Sequence, residues 1–234
     1  MLIAGFPAGS WATNCYVVAT GPGEPCVIIE PGQESIDGVH EIIREHRLAP
    51  AAVLLTHGHI DHVWSVAPLS SEFDIPVLIH ADDRYRLVDP AGSSIVAARE
   101  QLMAMTKNSL ELTEPSDIRL IEDEQTLDLV GLSFTVRHAP GHTEGSSVFE
   151  VDDIMFSGDV LFAGSIGRTD LPGGDHERMI DSLRRVIVPA PDEMVVLPGH
   201  GAQTTIGAER AANPFLRPLL ADGGASVPRN PRGL

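Results

Sequence analysis

One short segment constrains this chain more than any other. Residues 56–62 read Thr-His-Gly-His-Ile-Asp-His and directly follow the apolar run 52–55. The run predicts a buried strand, so three imidazoles and one carboxylate would lie within six residues at a strand end. Burying several unpaired polar groups costs too much free energy without a partner. The segment therefore indicates a metal site rather than a set of surface histidines.

The spacing within the segment favours an extended backbone and more than one metal. His57 and His59 are two residues apart, and side chains at i and i+2 of an extended chain point the same way. This differs from the i, i+4 histidine pair that binds zinc on a helix. Asp61 and His62 follow in other directions, so four ligands placed in this way serve two metals better than one.

Three later segments repeat the combination of an apolar strand, a small turn and a ligand-type side chain. They are Pro-Gly-His ending at His142, Ser-Gly-Asp ending at Asp159 and Pro-Gly-His ending at His200. Each alone would be an ordinary turn residue. Together with the first segment they predict ligands that point from the ends of several strands into one shared cleft.

The remaining pattern predicts an α/β chain. Predicted strands cover 2–6, 14–19, 26–30, 52–56, 77–79, 127–129, 132–136, 147–151, 154–156 and 194–197. Predicted helices cover 34–47, 66–72, 94–105 and 175–188, the last capped by Asp175. Strands precede a helix in both halves, and no linker stands out. We therefore predict one domain over 1–220 and a flexible tail over 221–234, which is rich in Gly, Pro and Arg.

Charge and composition exclude several partners. The chain has 33 acidic residues against 16 Lys and Arg, a net charge of -17, which opposes binding to nucleic acid or to an anionic membrane. No apolar stretch approaches the roughly 20 residues of a membrane span, and no signal peptide is visible. We expect a cytoplasmic protein without a disulfide framework, since Cys15 and Cys26 lie in apolar contexts.

The ligand pattern resembles that of a known family. His57-Gly58-His59-Ile60-Asp61-His62 is similar to the HxHxDH signature of the metallo-β-lactamase superfamily, and the later residues follow in the family's order, a resemblance that spans about 2–216. It implies an αββα sandwich of two mixed β-sheets flanked by helices. It also implies that His57, His59 and His142 hold one metal, that Asp61, His62 and His200 hold a second, and that Asp159 bridges both.

One position departs from the family pattern. The family commonly has an aspartate before the Pro-Gly that follows the third strand, whereas this chain has Glu30-Pro31-Gly32. We expect Glu30 to support the histidine segment from behind, from a position shifted by its longer side chain. Asp82, Asp83 and residues 122–124 are interpreted as solvated or loop charges.

Within the superfamily, segments 162–170, 173–175 and 199–215 resemble the short bacterial glyoxalase II group, the hydroxyacylglutathione hydrolases. The resemblance implies a small thioester substrate of the S-D-lactoylglutathione type and two divalent metals, zinc first, with iron or manganese as alternatives. Hydroxide from metal-activated water would attack the thioester carbonyl, oriented by Asp61 as the catalytic residue. Arg168 stands where longer members use a lysine to grip glutathione, so it is the candidate for substrate binding. Its alternative role is a structural pair with Asp170 or Asp175.

Other functions remain open on the sequence alone. A mononuclear iron persulfide dioxygenase shares the fold and the Gly-Arg-Thr-Asp loop of 167–170. Lactonases, other ester hydrolases and β-lactamases share the ligand pattern but lack that loop. The thiol carrier is also open, because Asp170 stands where longer glyoxalase II members carry a tyrosine.

Overall fold

The computed structural model describes residues 1–89 and 113–220. The helix predicted over 94–105 and the tail predicted over 221–234 lie outside the described residues. Within these two ranges, none of the helices has the length and apolar character needed to span a bilayer.

The first sheet has six strands in chain order. They are β1 (Leu2–Ala8), β2 (Thr13–Ala19), β3 (Pro25–Ile29), β4 (Ala49–Leu54), β5 (Val77–His80) and β6 (Ile118–Ile121). The first three strands are antiparallel, and β3 to β6 run parallel. The described helices on this half are α1 (Ile36–His46), α2 (Ile60–Val63), α3 (Val66–Phe73) and a 3₁₀ helix (Ala81–Leu87). The parallel strands therefore all deliver their carboxyl ends to one edge.

The second sheet also has six strands, in the order β14-β13-β10-β9-β8-β7. These are β7 (Thr126–Leu129), β8 (Leu132–His138), β9 (Ser147–Val151), β10 (Ile154–Gly158), β13 (Val195–Pro198) and β14 (Thr204–Thr205). A small hairpin, β11 (Leu161–Phe162) and β12 (Ser165–Ile166), follows β10. The helices are α4 (His176–Ser182), which continues as a π-helical turn (Leu183–Ile187), α5 (Ile206–Ala212) and α6 (Arg217–Leu220). The pair β10 and β13 is parallel, so this sheet is mixed as well.

The two sheets pack face to face with helices outside them. Alternation in β2 shows this directly: Cys15 and Val17 face the apolar cluster under the helices of the first half, whereas Tyr16 and Val18 face the layer between the sheets. Side chains at i and i+2 share a face of a strand, so a strand buried on both faces reads as a continuous apolar run. A third cluster packs α4 and its π-helical turn onto the second sheet. The predicted αββα sandwich of two mixed sheets is confirmed.

Local signals were accurate where the pattern was long. Asp175 caps α4 as predicted, and its side chain accepts hydrogen bonds from the backbone N–H groups of Glu177 and Arg178. The strands β6, β11, β12 and β14 were not predicted. The strands β11, β12 and β14 have two residues each, which is too short for a hydrophobic period to be visible. In β6, Arg119 interrupts the apolar run.

Candidate metal centre

The ends of several strands bring the predicted ligands to one edge of the sandwich. His57 and His59 follow β4, Asp61 and His62 lie in α2, His142 follows β8, Asp159 follows β10 and His200 follows β13. The seven side chains thus come from both sheets. All seven predicted residues lie together in the structure.

Three histidines form a first set, here called the three-histidine group: His57, His59 and His142. One ring nitrogen of each lies within 4.8 Å of the others. His59 Nδ1 is 2.8 Å from His142 Nε2, and the buried Nε2 of His57 has no hydrogen-bond partner among the described residues. A buried imidazole nitrogen without a partner is costly. A shared cation would satisfy all three nitrogens at once.

Asp61, His62 and His200 form a second set, here called the aspartate group. Asp61 Oδ2 lies 3.1 Å from His200 Nε2 and 3.3 Å from His62 Nε2. The hydroxyl of Thr13 donates to the same carboxylate oxygen at 3.0 Å. The ligand atoms of this group also lie within 4.8 Å of one another. One carboxylate and two imidazoles are a ligand set that suits zinc, iron or manganese.

Asp159 lies between the two groups. Its Oδ2 is 3.4 Å from His142 Nε2 and 3.6 Å from His200 Nε2, and its Oδ1 is 3.5 Å from His62 Nε2. Oδ1 is buried and has no hydrogen-bond partner among the described residues. A carboxylate in this position can serve both groups.

The ring nitrogen that faces away from the centre is held by an oxygen in four of the histidines. His57 Nδ1 is 3.0 Å from Thr56 Oγ1, His142 Nδ1 is 2.7 Å from the carbonyl oxygen of Arg168, His200 Nδ1 is 3.2 Å from the carbonyl oxygen of Trp11, and His62 Nδ1 contacts Glu30 Oε2. Such outer contacts fix the ring orientation and leave the inner nitrogen for a metal. The ring orientations in both groups therefore suit the binding of a cation.

Glu30 supports the histidine segment, as predicted. Its Oε1 accepts the backbone N–H of Thr56 at 2.7 Å and its Oε2 accepts the Thr56 hydroxyl at 2.8 Å, while Oε2 also contacts His62 Nδ1. The side chain is buried, and the backbone at Glu30 is left-handed, with φ of 57°. The carboxylate thus reaches both His62 and the residue before His57.

Electrostatics keep the three-histidine group neutral. The pKa of the His57 imidazole lies well below its ordinary value because of burial and because the neighbouring imidazoles His62 and His142 oppose a further charge. The pKa of His59 is also well below the ordinary value, through burial and His142, and burial lowers the pKa of His142. Neutral imidazole is the form that binds metal.

The aspartate group behaves in the opposite way. Burial opposes the charged form of His62, but the carboxylates of Asp61, Glu30 and Asp159 outweigh it and raise the pKa well above the ordinary value. The pKa of His200 is raised as well, because contacts with Asp61 and Asp159 outweigh burial. The pKa of Asp61 is held well below its usual range, since His62 and His200 outweigh the effect of burial. This group is a cluster of opposite charges.

Arg168 lies beside the centre but its guanidinium has a partner. Its Nε donates to Asp170 Oδ1 at 2.7 Å and a terminal nitrogen donates to Asp170 Oδ2 at 2.8 Å. The two side chains are about a third exposed or more. The structure thus shows one of the two pairings expected for Arg168, while Asp175 caps α4 instead. Substrate binding by Arg168 stays a prediction.

The expectation for Asp83 is wrong. Asp82 is exposed, but the Asp83 carboxylate is fully buried on the 3₁₀ helix after β5. It accepts hydrogen bonds from the backbone N–H groups of Gly58 and Gly145 and from the hydroxyl of Thr143. The available sequence signal was the three-residue spacing to Arg86, which allows an ion pair on one helical face.

A further group of His80, Asp82 and His138 has ligand atoms close enough for a metal. However, the rings of His80 and His138 are stacked, with centroids 3.9 Å apart and planes 8° apart. An imidazole binds a metal in the plane of its own ring, and two parallel planes do not meet at one ion. This pair therefore does not form a chelate in this arrangement.

Similar proteins cover almost the whole chain. An uncharacterized protein of Mycobacterium tuberculosis is 45% identical over 226 residues, covering 94% of this chain and 99% of the relative. Hydroxyacylglutathione hydrolase GloC of Haemophilus influenzae is 34% identical over 212 residues, covering 90% of this chain and 95% of the relative. Similarity of this extent includes all the ligand-bearing segments.

Solved structures show the same architecture. A structure described as BLEG-1 B3 metallo-beta-lactamase superposes with a TM-score of 0.80 at 39% identity, covering 92% of this chain and 99% of that one. A structure of TTHA1623 in a di-iron-bound form gives a TM-score of 0.75 at 36% identity, covering 92% and 100%. Both likenesses extend over the two sheets and the strand ends that carry the ligands.

The family assignment follows from a sequence profile together with this geometry. The profile of the Metallo-beta-lactamase superfamily matches residues 8–200, which begin at the end of β1 and finish at the last predicted ligand, His200. The described fold and the candidate metal-binding groups agree with that match, and they support a metal-dependent hydrolase. The chain belongs to the metallo-beta-lactamase superfamily.

Proposed function

We propose that this protein is a binuclear metal-dependent hydrolase that cleaves a thioester of the hydroxyacyl-thiol class, of which S-D-lactoylglutathione is representative. The observation that carries the proposal is the convergence of the two ligand groups on Asp159. Its carboxylate lies 3.4–3.6 Å from a histidine nitrogen of each group. Two adjacent ligand sets joined by a carboxylate favour two cations over one.

Two divalent metals fit the donor atoms. The three-histidine group supplies neutral nitrogens, and the aspartate group adds a carboxylate, so zinc is the first choice, with iron or manganese as alternatives. The similarity to a structure in a di-iron-bound form supports two metals and keeps iron open. When bound, such a pair lowers the pKa of a shared water toward neutrality and polarises the substrate carbonyl.

Asp61 is the residue we assign to orient the nucleophile. Its lowered pKa keeps the carboxylate ionised, so it accepts hydrogen bonds throughout the neutral range. The Thr13 hydroxyl fixes Oδ2 from one side and His200 Nε2 lies 3.1 Å away on the other. A carboxylate held in this way cannot turn freely. A thioester suits such a site because its thiolate, with a parent pKa of about 8.5, needs little help from a general acid.

The substrate class is supported by similarity to hydroxyacylglutathione hydrolase GloC over 90% of this chain. A carboxylate on the thiol portion would bind at Arg168. The two hydrogen bonds of its guanidinium to Asp170 show the bidentate geometry that such a substrate would use. Substrate binding would then require Arg168 to exchange Asp170 for the ligand. The proposal therefore names a small-molecule thioester. The identity of its thiol portion is determined by assaying the protein with different thioesters.

Two alternatives are tested together with the proposal. An iron persulfide dioxygenase would use the same edge and the same Gly-Arg-Thr-Asp loop with one iron. The second alternative is hydrolysis of lactones, other esters or β-lactams. The 39% identity to BLEG-1 favours β-lactams among these. Each alternative differs in metal count, in oxygen use or in the bond that is cleaved.

The deciding experiment purifies the full chain without added metal, counts metal per chain and assays the same sample. With S-D-lactoylglutathione, release of free thiol and about two metals per chain are expected. Asp61→Asn is the test variant, and its turnover should fall because Asp61 is the residue assigned to orient the nucleophile. Arg184→Ala is the matched surface control, because its side chain is about half exposed and pairs only with Asp181 among the described residues. The control should retain wild-type turnover.

Other results would redirect or end the proposal. One iron per chain, with oxygen uptake on glutathione persulfide and no thiol release, would assign the dioxygenase. Two metals with turnover of a lactone or a β-lactam, but not of the thioester, would keep the hydrolase and reject the substrate. The protein would also be incubated with excess zinc, iron and manganese, each in turn. If it retained none of them, the metal centre itself would be refuted.

A further inference from the structure

Asp83 lies behind the metal centre and joins two loops that are far apart in the sequence. Its Oδ2 accepts the backbone N–H of Gly58 at 2.8 Å and the hydroxyl of Thr143 at 2.7 Å. Its Oδ1 accepts the backbone N–H of Gly145 at 2.9 Å. Gly58 separates the two histidines that follow β4, and Thr143 follows His142 directly. A single oxygen atom thus bridges the loops that carry the three-histidine group.

These two loops come from different sheets. One follows β4 of the first sheet and the other follows β8 of the second. The inner nitrogens of His59 and His142, which belong to opposite loops, are 2.8 Å apart. A metal site needs its ligands placed within a few tenths of an ångström. Something must therefore set the separation of the two loops, and Asp83 contacts both.

Arg86 accounts for the charge of this buried carboxylate. Its Nε is 3.4 Å from Asp83 Oδ1, and a terminal nitrogen donates to Glu144 at 2.7 Å and to the carbonyl of Pro172 at 2.9 Å. The guanidinium is itself buried, with 1% of its side chain exposed. A buried ion pair with further hydrogen bonds is costly to break on one side. Asp83 is therefore held in place rather than free to adapt.

The loops pack so closely against Asp83 and Arg86 that two positions have no space for a side chain. A Cβ atom at Gly145 would lie 2.7 Å from the Cβ and the backbone nitrogen of Asp83, and one at Gly58 would lie 2.6 Å from the Cβ of Arg86. Both distances are shorter than real side chains allow, so glycine is needed at each position for the loops to approach the 3₁₀ helix. The close approach explains why both backbone N–H groups reach the carboxylate.

We infer that Asp83 is a positioning residue that sets the separation of the two histidine loops, and so controls metal affinity at the three-histidine group but not at the aspartate group. The described hydrogen bonds of Asp83 end at Gly58, between His57 and His59, at Thr143, next to His142, and at Gly145 in the same loop. The aspartate group is held instead by Glu30, Thr13 and the carbonyl of Trp11. The inference rests on the proposed metal centre and adds a residue that acts on one half of it.

The test measures each group separately. His200→Ala disables the aspartate group and leaves the three-histidine group, while His59→Ala does the reverse. Zinc affinity is measured in each background, with and without Asp83→Asn, by competition with a chromophoric chelator. In the His200→Ala background we expect Asp83→Asn to weaken zinc binding about 10- to 100-fold, the usual effect of losing an outer partner. In the His59→Ala background we expect no change beyond the error of the titration.

Glu209→Gln is the matched control for the cost of altering a buried carboxylate. Glu209 is also buried and also accepts three hydrogen bonds, from Gly164 N–H, the Asn213 amide and the Thr204 hydroxyl. None of these partners lies next to a histidine of the centre. This variant should lower Tm as Asp83→Asn does, with zinc affinity unchanged in both backgrounds.

The outcomes separate this inference from the proposed function. Failure of the wild-type chain to bind zinc, iron and manganese, each tested in turn, would refute the proposed function. Two bound metals in the wild type, with Asp83→Asn weakening both groups equally or neither, would overturn only the role of Asp83. If Asp83→Asn does not fold, Thr143→Val removes one donor and leaves the ion pair intact. It should weaken the three-histidine group alone, and an equal effect on both groups would contradict the inference.

Discussion

The two ligand groups lie side by side yet differ in charge. In the three-histidine group, burial lowers the pKa of all three imidazoles, and His142 lowers the pKa of His57 and His59 further. In the aspartate group, carboxylates raise the pKa of both histidines. A cation entering the three-histidine group therefore competes little with protons, whereas one entering the aspartate group competes with protons on its histidines. Neighbouring sites at one sheet edge can therefore have different requirements for metal loading.

The largest expected effect comes from removing the residue that the groups share. Asp159→Ala takes away a carboxylate that contacts histidines of both groups, so we expect loss of both metals. Thioesterase activity should fall by more than about 100-fold, because loss of a residue that only hydrogen-bonds to a metal ligand already lowers activity about 10- to 100-fold. Asp61→Ala should lose one metal and leave the three-histidine group loaded. Metal content per chain and initial rates measure both effects.

This prediction sharpens the comparison because the two variants remove the same chemical group. The result that breaks it is one metal retained in Asp159→Ala, or two lost in Asp61→Ala. Either would mean that the groups do not divide as their distances indicate.

The next effect is on pH dependence. His62 carries a raised pKa, so at neutral pH a metal entering the aspartate group displaces a proton, and lower pH favours the proton. The pKa of His200 is raised as well. In the His59→Ala background, zinc affinity should therefore rise at least about tenfold per pH unit as the pH increases through neutrality, since each displaced proton contributes about one factor of ten. The His200→Ala background should show a flat profile above about pH 6.5, because the pKa values of its remaining group lie below that range.

Chelator competition at several pH values measures both slopes in the same buffers. Equal slopes in the two backgrounds would contradict the assignment of a neutral group and a charged group.

The smallest effect concerns the loop that touches only one group. The carbonyl of Arg168 accepts from His142, while its guanidinium pairs with Asp170. Asp170→Asn should leave Tm almost unchanged, since exposed ion pairs contribute about 0–1 kcal/mol. If Arg168 binds a substrate carboxylate, Asp170→Asn frees its guanidinium and should lower KM several-fold at constant kcat.

Arg168→Ala should raise KM. An unchanged KM in both variants would mean that Arg168 has a purely structural role.

Much of the fold was accessible from sequence because its signals are local. The segment 57–62 combines strand end, spacing and ligand chemistry within six residues, and the turns before His142 and His200 repeat it. Asp175 is followed directly by an amphipathic helix. Such features need no knowledge of distant contacts, and the structure confirms the sandwich and brings the seven predicted ligands together.

The role of Asp83 could not be predicted in the same way. Its partners lie 25, 60 and 62 residues away along the chain, and they meet only after both sheets have packed. In sequence it is the second of two adjacent acidic residues, one exposed and one buried. Burial of one and not the other is a property of tertiary structure, so the charge pattern alone does not predict which of the two carboxylates is buried.

Glu30 shows how one position can meet two opposed structural requirements. A left-handed backbone costs an ordinary L-residue about 1–2 kcal/mol, and aspartate or asparagine tolerates that conformation better than glutamate. Yet the glutamate side chain spans from there to both Thr56 and His62. Aspartate would lower the backbone strain, but its side chain is one methylene too short for these contacts. Glutamate makes the contacts and retains the backbone strain. Replacing Glu30 with aspartate would therefore relieve backbone strain at the cost of the contacts with Thr56 and His62.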